Sequence, residues 1–452
     1  MKRLQDFSFD SISVRTLQRG CLVLIAAVQF FMLVWGTYVQ GSFSLSLAVF
    51  LNMISVFYAG ASFRNITSPV GKKLFGAGLL FSAWVLLLQL DGFRDFENMA
   101  QYGPRFMLSC FLCDYLLMFT FAGIAEDPGQ NRGLQIFGSA FLLSSPVFMV
   151  LSILLCANVV PASLQDQVKW IEVRLWTLWN SNILAGIFMI TIGFLAMLIF
   201  TTRHKWVKIL AAAMILPNFY FIALTNCRAV MWMTCLMLSG IVSFTVFDHR
   251  NFRSSFIKWA SIISLGVLLF LLMVSLMNWF FAQHLSYVSS QLPELTKDAA
   301  DVAVRRKSSE NVSSLGGRFY RWKYIIEHGF TDLPVLVFGA GSIPEYLAPA
   351  DCYHAHNSFL QTYLNLGLPG LLIALYLTYL AVKNAFILLF FRKSTMLQKV
   401  VSMLVGCLLV TQFFESYLFF ADNKMIFFNA TFLLCLGYMI RWVKEDSAEK
   451  TA

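Results

Sequence analysis

Residues 181–202 read SNILAGIFMITIGFLAMLIFTT, a block without a single charged side chain. As an α-helix rising 1.5 Å per residue, such a block is long enough to cross a hydrocarbon layer of roughly 30 Å. A helix on the surface of a soluble core would carry polar residues at helical spacing, because one face would meet water. The block is therefore written for lipid. Working outward from it, comparable apolar blocks fall at 18–38, 42–62, 74–90, 105–124, 134–157, 207–224, 229–247, 259–281, 368–391, 400–420 and 425–441. The reading is an all-α integral membrane protein with about twelve transmembrane helices.

Composition agrees. Of 452 residues, 58% are hydrophobic and 13% are charged, against roughly a quarter charged in a soluble domain. The basic residues alternate from loop to loop. Arg64, Lys72 and Lys73, then Arg203, Lys205 and Lys208, then Arg250, Arg253 and Lys258, then Arg392, Lys393 and Lys399 mark cytoplasmic connections. Arg441, Lys444 and Lys450 place the C-terminus on the same side as the N-terminus, in the cytoplasm. The net charge of +10 is accordingly a topology signal and not a nucleic-acid footprint. The first block follows Lys2, Arg3, Arg15 and Arg19 without a small-residue cleavage motif, and so reads as a retained span.

Three regions result: nine spans in 1–281, an exported loop at 282–357, and three more spans with a cytoplasmic tail in 358–452. A long polar loop on a rigid scaffold is where function tends to sit. Its first half, 291–314, mixes Pro293, Lys297, Asp298, Asp301, Arg305, Arg306 and Lys307, as a solvated helix or mobile stretch would. Its second half carries Gly316-Gly317-Arg318-Phe319-Tyr320-Arg321-Trp322, a helical Tyr324 to His328, Gly339-Ala340-Gly341 and His354-Ala355-His356-Asn357, and looks built to pack against the membrane domain. A shorter exported segment, 158–180, holds Lys169, Trp170, Arg174, Trp176 and Trp179; it reads as an interfacial helix with an aromatic belt, or as a lid over a membrane-facing site. Of nine cysteines only Cys352 lies in the long loop, so no disulfide framework is expected. Cys110 and Cys113 have CxxC spacing but sit inside a span.

The chemistry gathers after the loop. His356-Asn357-Ser358-Phe359-Leu360-Gln361 is followed by Leu366-Gly367-Leu368-Pro369-Gly370, a histidine at the exported end of a re-entering helix with a glycine break about ten residues on. This segment resembles the signature of the O-antigen ligase and polymerase family: His-Asn, a short apolar helix, then Gly-x-x-Gly before a span. Thr225-Asn226-Cys227-Arg228-Ala229 resembles the family's Ser-Arg-Gly element, with Cys227 and Ala229 departing from it and Arg228 matching. Gly317-Arg318 with Trp322 four residues on, and Gly339-x-Gly341 before the histidine, resemble its long-loop pattern.

The resemblance implies a GT-C-like glycosyltransferase of the bacterial inner membrane with its active site on the periplasmic face. Its donor would be an undecaprenyl-diphosphate-linked glycan. Its acceptor would be a sugar of lipid A-core in the ligase branch, or another lipid-linked repeat in the polymerase branch. It implies no cofactor and no metal requirement, and its partners are lipid-borne.

The residues support this chemistry on their own terms. A departing diphosphate needs cationic donors, and arginine's planar fork bonds two oxygens while staying charged in a low dielectric. Arg228 and Arg318 are the expected clamp, with Arg174, Arg321 and Arg105 as further candidates. The attacking hydroxyl needs a base, and His356 is the expected one, with Asn357 beside it and His354 in support. Each has a plainer rival: Arg228 as a snorkelling helix end, Arg318 as a solvated loop charge, His356 as an interfacial histidine. Asp114 and Glu415 fall near or inside spans, where a carboxylate must be paired, neutral or wet. Glu415 reads either as a bundle pairing or as an arginine orienter or acceptor group. Asp298, Asp301, Glu345 and Asp351 form no Asp-x-Asp pair, so no metal site is expected.

A transporter with this many spans would show related halves and broken helices in matching positions. No such symmetry is visible, and the polar groups gather at one face of the second half. Within the family, the single dominant loop and the basic balance favour a ligase, since lipid A is anionic.

Overall fold

The computed structural model describes residues 131–156, 181–248, 254–291, 311–340, 346–350, 354–391, 393–416, 418–419 and 426–449, with a few isolated positions before them, among them Trp84. The expected spans before residue 131, the 158–180 segment, Arg105, Cys110, Cys113, Asp114 and Arg174 lie outside the described residues. Among the described residues the chain is helical apart from short connections, with no strand. Six helices among the described residues are long and apolar enough to cross a membrane, and Met396–Thr411 is a shorter apolar one.

The bundle begins with α1 (Arg132–Cys156), α2 (Ser181–Thr201), α3 (Lys205–Thr225) and α4 (Arg228–Phe247). The centre is α2, which packs against α1, α3 and α9 (Met396–Thr411). Its residues from Leu184 to Leu198 are buried almost without a break, which explains why its hydrophobicity has no preferred side. Small residues allow the close approach: a Cβ at Gly193 would meet Leu404, and one at Gly138 would meet Leu198 and the carbonyl of Phe194. Stacked rings of Phe141 and Phe194, 4.7 Å apart, fill the α1–α2 seam. The long α5 (Ser255–Gln291) lies outermost of these, with most side chains exposed, as a lipid-facing helix would.

Polar groups clip one end of the bundle. Lys399 and Lys258 both reach Asp248, the latter at 3.0 Å, and Lys399 also lies over the ring of Phe244 at 4.7 Å. Burial acts to raise the Asp248 carboxyl, but the hydrogen bonds and charges of the two lysines outweigh it and hold it below its ordinary value. Arg203, Lys205 and Lys393 share this basic end through the short connections that join α2 to α3 and lead into α9.

Beyond α5 come α6 (Asn311–Tyr324), a π turn (Ile325–Gly329), the short α7 (Leu333–Phe338) and a 3-10 turn (Ala348–Ala350). They share a small core of Ile325, Val335, Leu347 and Ala355 with Tyr363 and Leu364 of α8 (Ser358–Phe386). A π turn at Ile387–Phe391 ends α8, and α10 (Ile426–Glu449) closes the bundle.

Helix α8 is two helices joined at a break. Gly367 has φ 67 and ψ −167, a conformation essentially reserved for glycine. Pro369 then lacks the N–H that would continue the ladder. The half-helix Ser358–Leu366 thus folds separately from the span that follows. The break is filled from two sides: the Ala340 N–H of the loop donates to Leu364 O at 2.7 Å, and the indole N–H of Trp84, from the first half of the chain, donates to Leu366 O at 2.8 Å.

One expected span is shortened. The block at 400–420 is helical only to Thr411, and α9 starts earlier, from a Thr395–Gln398 capping box. Residues 412–416, 418 and 419 leave the helix and turn against the half-helix, where Gln412, Leu418 and Phe419 bond Ser358 and Thr362.

Candidate active site

Asn357 starts α8. Its side-chain oxygen accepts from the amides of Phe359 and Leu360 at 3.0 and 3.1 Å, as an N-cap should. Immediately before it, His356 has φ 49, the left-handed region that costs a non-glycine residue free energy of roughly 1–3 kcal/mol. Neighbours fix that backbone. The preceding Ala355 is held on both sides, its N–H by Gln361 Oε1 at 2.8 Å and its carbonyl by the Trp322 indole at 2.9 Å. The His356 N–H donates to His354 Nδ1 at 3.3 Å, and the two imidazoles meet edge to face. His354 Nδ1 also lies 3.4 Å from the Ser416 hydroxyl.

The spacing of Arg318 and Trp322 now has a physical reason. Four residues apart on α6, they project from one face a turn apart. Trp322 grips the peptide before His356, while Arg318 reaches Glu415, Nη2 to Oε1 at 3.2 Å.

Glu415 is the hub. Its side chain is only 8% exposed, sits in the turn after α9, and among the described residues faces Asn182, Arg318 and His356. Asn182, near the start of α2, donates to Oε1 at 2.8 Å beside Arg318. Its other oxygen, Oε2, faces His356 Nδ1 at 3.8 Å. That distance is beyond a hydrogen bond, and Nδ1 is buried without a hydrogen-bond partner among the described residues. A closure of under about 1 Å would make one, and such bonds commonly tighten only when substrate binds.

Arg228 is the first residue of α4, exposed, after the left-handed C-cap Asn226 and N-cap Cys227 that turn the chain between α3 and α4. Helices α4 and α9 run antiparallel. Asp248 meets Lys399, Gly240 faces Met403, and the Met233 carbonyl accepts from Cys407 Sγ at 3.3 Å. Following that register past Met233 places Arg228 beside the C-terminal end of α9, the end opposite Asp248. Arg321 is half-buried, a turn along α6 from Arg318.

The structure therefore brings His356, Asn357, His354, Arg318 and Glu415 into one cluster, with Arg228 at the same end of the bundle. Tyr346 packs against the small core of Ile325, Val335 and Leu347. Burial, with Tyr324, Tyr363 and Asp332 around it, pushes its phenol up to about 12. Among the described residues no group of three or more His, Cys, Asp or Glu could hold a metal ion.

Sequence reasoning missed Asn182, Ser358 and Gln412. Each is a single polar residue within or beside an apolar block, which is a weak signal alone and a strong one only when partners are known.

Residues 211–375 match the family model described as O-antigen ligase. The O-antigen ligase and polymerase resemblance is thus shown over that segment. The matched O-antigen ligase segment begins within α3, ends within α8, and contains Arg228, Arg318, His354 and His356. The six apolar helices among the described residues mark a multi-pass membrane protein. A comparison with curated proteins finds no match.

Proposed function

We propose that this protein is an O-antigen ligase, transferring a glycan from undecaprenyl diphosphate to a sugar of lipid A-core at the periplasmic face of the bacterial inner membrane. Its chain crosses that membrane about twelve times with both ends in the cytoplasm. The observation that carries this reading is the shared carboxylate of Glu415, which faces His356 with one oxygen and Arg318 with the other.

A carboxylate beside Nδ1 of an imidazole holds the proton there and leaves Nε2 free to act as a base. In the proposed step, His356 Nε2 takes the proton of the acceptor hydroxyl as that oxygen attacks the anomeric carbon. The bond from that carbon to the phosphate oxygen breaks, and undecaprenyl diphosphate leaves. Arg318 and Arg228 face the departing charge, with Arg321 and Arg174 as further cations, so no metal is needed to neutralise it. Glu415 keeps the Arg318 guanidinium turned toward the site, and at 24% side-chain exposure the arginine is not a solvated surface charge.

The test is transfer in vitro, from undecaprenyl-diphosphate-linked glycan to lipid A-core, by the purified full chain in nanodiscs. Cells lacking the protein are expected to accumulate lipid-linked long chains. A core bearing one repeat instead would assign the protein to the polymerase branch, and no glycan transfer to either acceptor would overturn the reading.

A further inference from the structure

His356 and Glu415 belong to different elements, and two residues that touch no reacting group tie those elements together. Ser358 and Gln412 are both 0% exposed. The Ser358 N–H donates to the Gln412 carbonyl at 2.9 Å, and the Ser358 hydroxyl donates to Gln412 Oε1. The same hydroxyl lies 3.3 Å from the Glu415 carbonyl. The Leu418 N–H, on the far side of Glu415, donates to Gln412 Oε1 at 2.8 Å and approaches the Ser358 oxygen at 3.1 Å. The Gln412 amide nitrogen is used as well, donating to Leu408 O at 2.8 Å.

The turn that carries Glu415 is therefore fastened at both its ends to the first residue of α8, two positions after His356. A satisfied polar network in a fully buried place has little freedom to shift, because any broken bond leaves an unpaired group in a low dielectric. Site geometry held by such a frame is set to a fraction of an ångström, the scale on which transfer rates depend.

We infer that Ser358 and Gln412 are positioning residues for glycan transfer, setting the gap between the His356 imidazole and the Glu415 carboxylate. This rests on the reading of His356 as the base. Gln412→Met keeps the side-chain length and removes the accepting oxygen, and Ser358→Ala removes one hydroxyl.

Steady-state transfer by the purified full chain, with an undecaprenyl-diphosphate-linked glycan as donor, tests it. Each variant is expected to lower kcat about tenfold with a much smaller change in KM for the donor, because neither substitution removes an arginine or the Glu415 carboxylate that holds Arg318. Each is expected to add no further loss on top of His356→Ala, since both act through that residue. If Gln412→Met does not insert, Ser358→Ala carries both measurements. Wild-type kcat in the inserted variants, a loss that multiplies with that of His356→Ala, or a joint change of KM, kcat and thermal midpoint would each overturn the inference. An inactive His356→Ala beside fully active Ser358→Ala and Gln412→Met would sink the positioning role and leave the base standing. A fully active His356→Ala would sink both.

Discussion

Arg318 Nη2 lies 3.2 Å from Glu415 Oε1, although 97 residues separate the two along the chain. The contact joins the loop domain to the membrane bundle at the point where His356 meets the same carboxylate. Arg318→Lys keeps the charge but loses the planar fork, so turnover should fall by one to two orders of magnitude, about 1.4 kcal/mol per tenfold, in a protein that still inserts. Steady-state transfer checks it. A fully active lysine variant would leave Arg318 only a general positive field and move its place to Arg321 or Arg174.

Glu415→Gln keeps the shape of the hub and removes its charge. Arg318 then faces a neutral amide and His356 loses its counter-charge, so turnover should fall more steeply than binding of the lipid-linked donor. Donor binding measured beside kcat separates the two; equal losses in both would make Glu415 a structural pairing only.

Gly367 should tolerate no side chain. A Cβ there would lie 2.1 Å from the Val337 carbonyl oxygen, at φ 67 where L-residues are strained. Gly367→Ala should cost about 2 kcal/mol or more and unseat α7. Gly406→Ala in α9, where a Cβ meets nothing within 4 Å, should be neutral or stabilising by up to about 1 kcal/mol. Thermal unfolding in detergent compares them.

Much of the fold was legible, because lipid imposes long apolar blocks that a single sequence shows plainly. The blocks at 181–202, 207–224 and 229–247 became helices with ends within a few residues of expectation. The block at 400–420 was overextended for a physical reason. Phe413, Phe414, Leu418 and Phe419 keep it hydrophobic, while the chain turns after Thr411 through bonds to Ser358 and Thr362 that hydropathy does not register. At the site, the residue types of His356, Arg318 and Glu415 were visible, as was the option of Glu415 as an arginine orienter; that one carboxylate faces both Arg318 and His356 was not. That convergence depends on a π turn after α6, a broken α8 and a turn after α9, none of which has a periodic signature. Asn182 was hidden by its neighbours, being one amide at the edge of the most apolar helix of the bundle.

Asp248 predicts an acid weakness at the other end of the bundle. Its carboxyl is held below the ordinary 3.8 in the folded protein, so the stability it contributes is present above that value. It is lost as pH falls through the lower folded value. The thermal midpoint of the wild type should drop as pH falls below about 4, whereas Asp248→Asn should start lower and change less over the same interval.

Divalent-ion chelation should leave transfer intact, since arginines face the diphosphate in the proposed step. Activity lost in chelator and restored by Mg²⁺ or Mn²⁺ would require a carboxylate site beyond the described residues.

The most direct test of the account is the rate of glycan transfer by His356→Ala. A positioned base typically contributes about a hundredfold to ten-thousandfold, so transfer should fall by at least two orders of magnitude while donor binding is kept by Arg228 and Arg318. His354→Ala should do less. A His356→Ala protein that inserts normally and transfers glycan at the wild-type rate would contradict the assignment of His356 as the base.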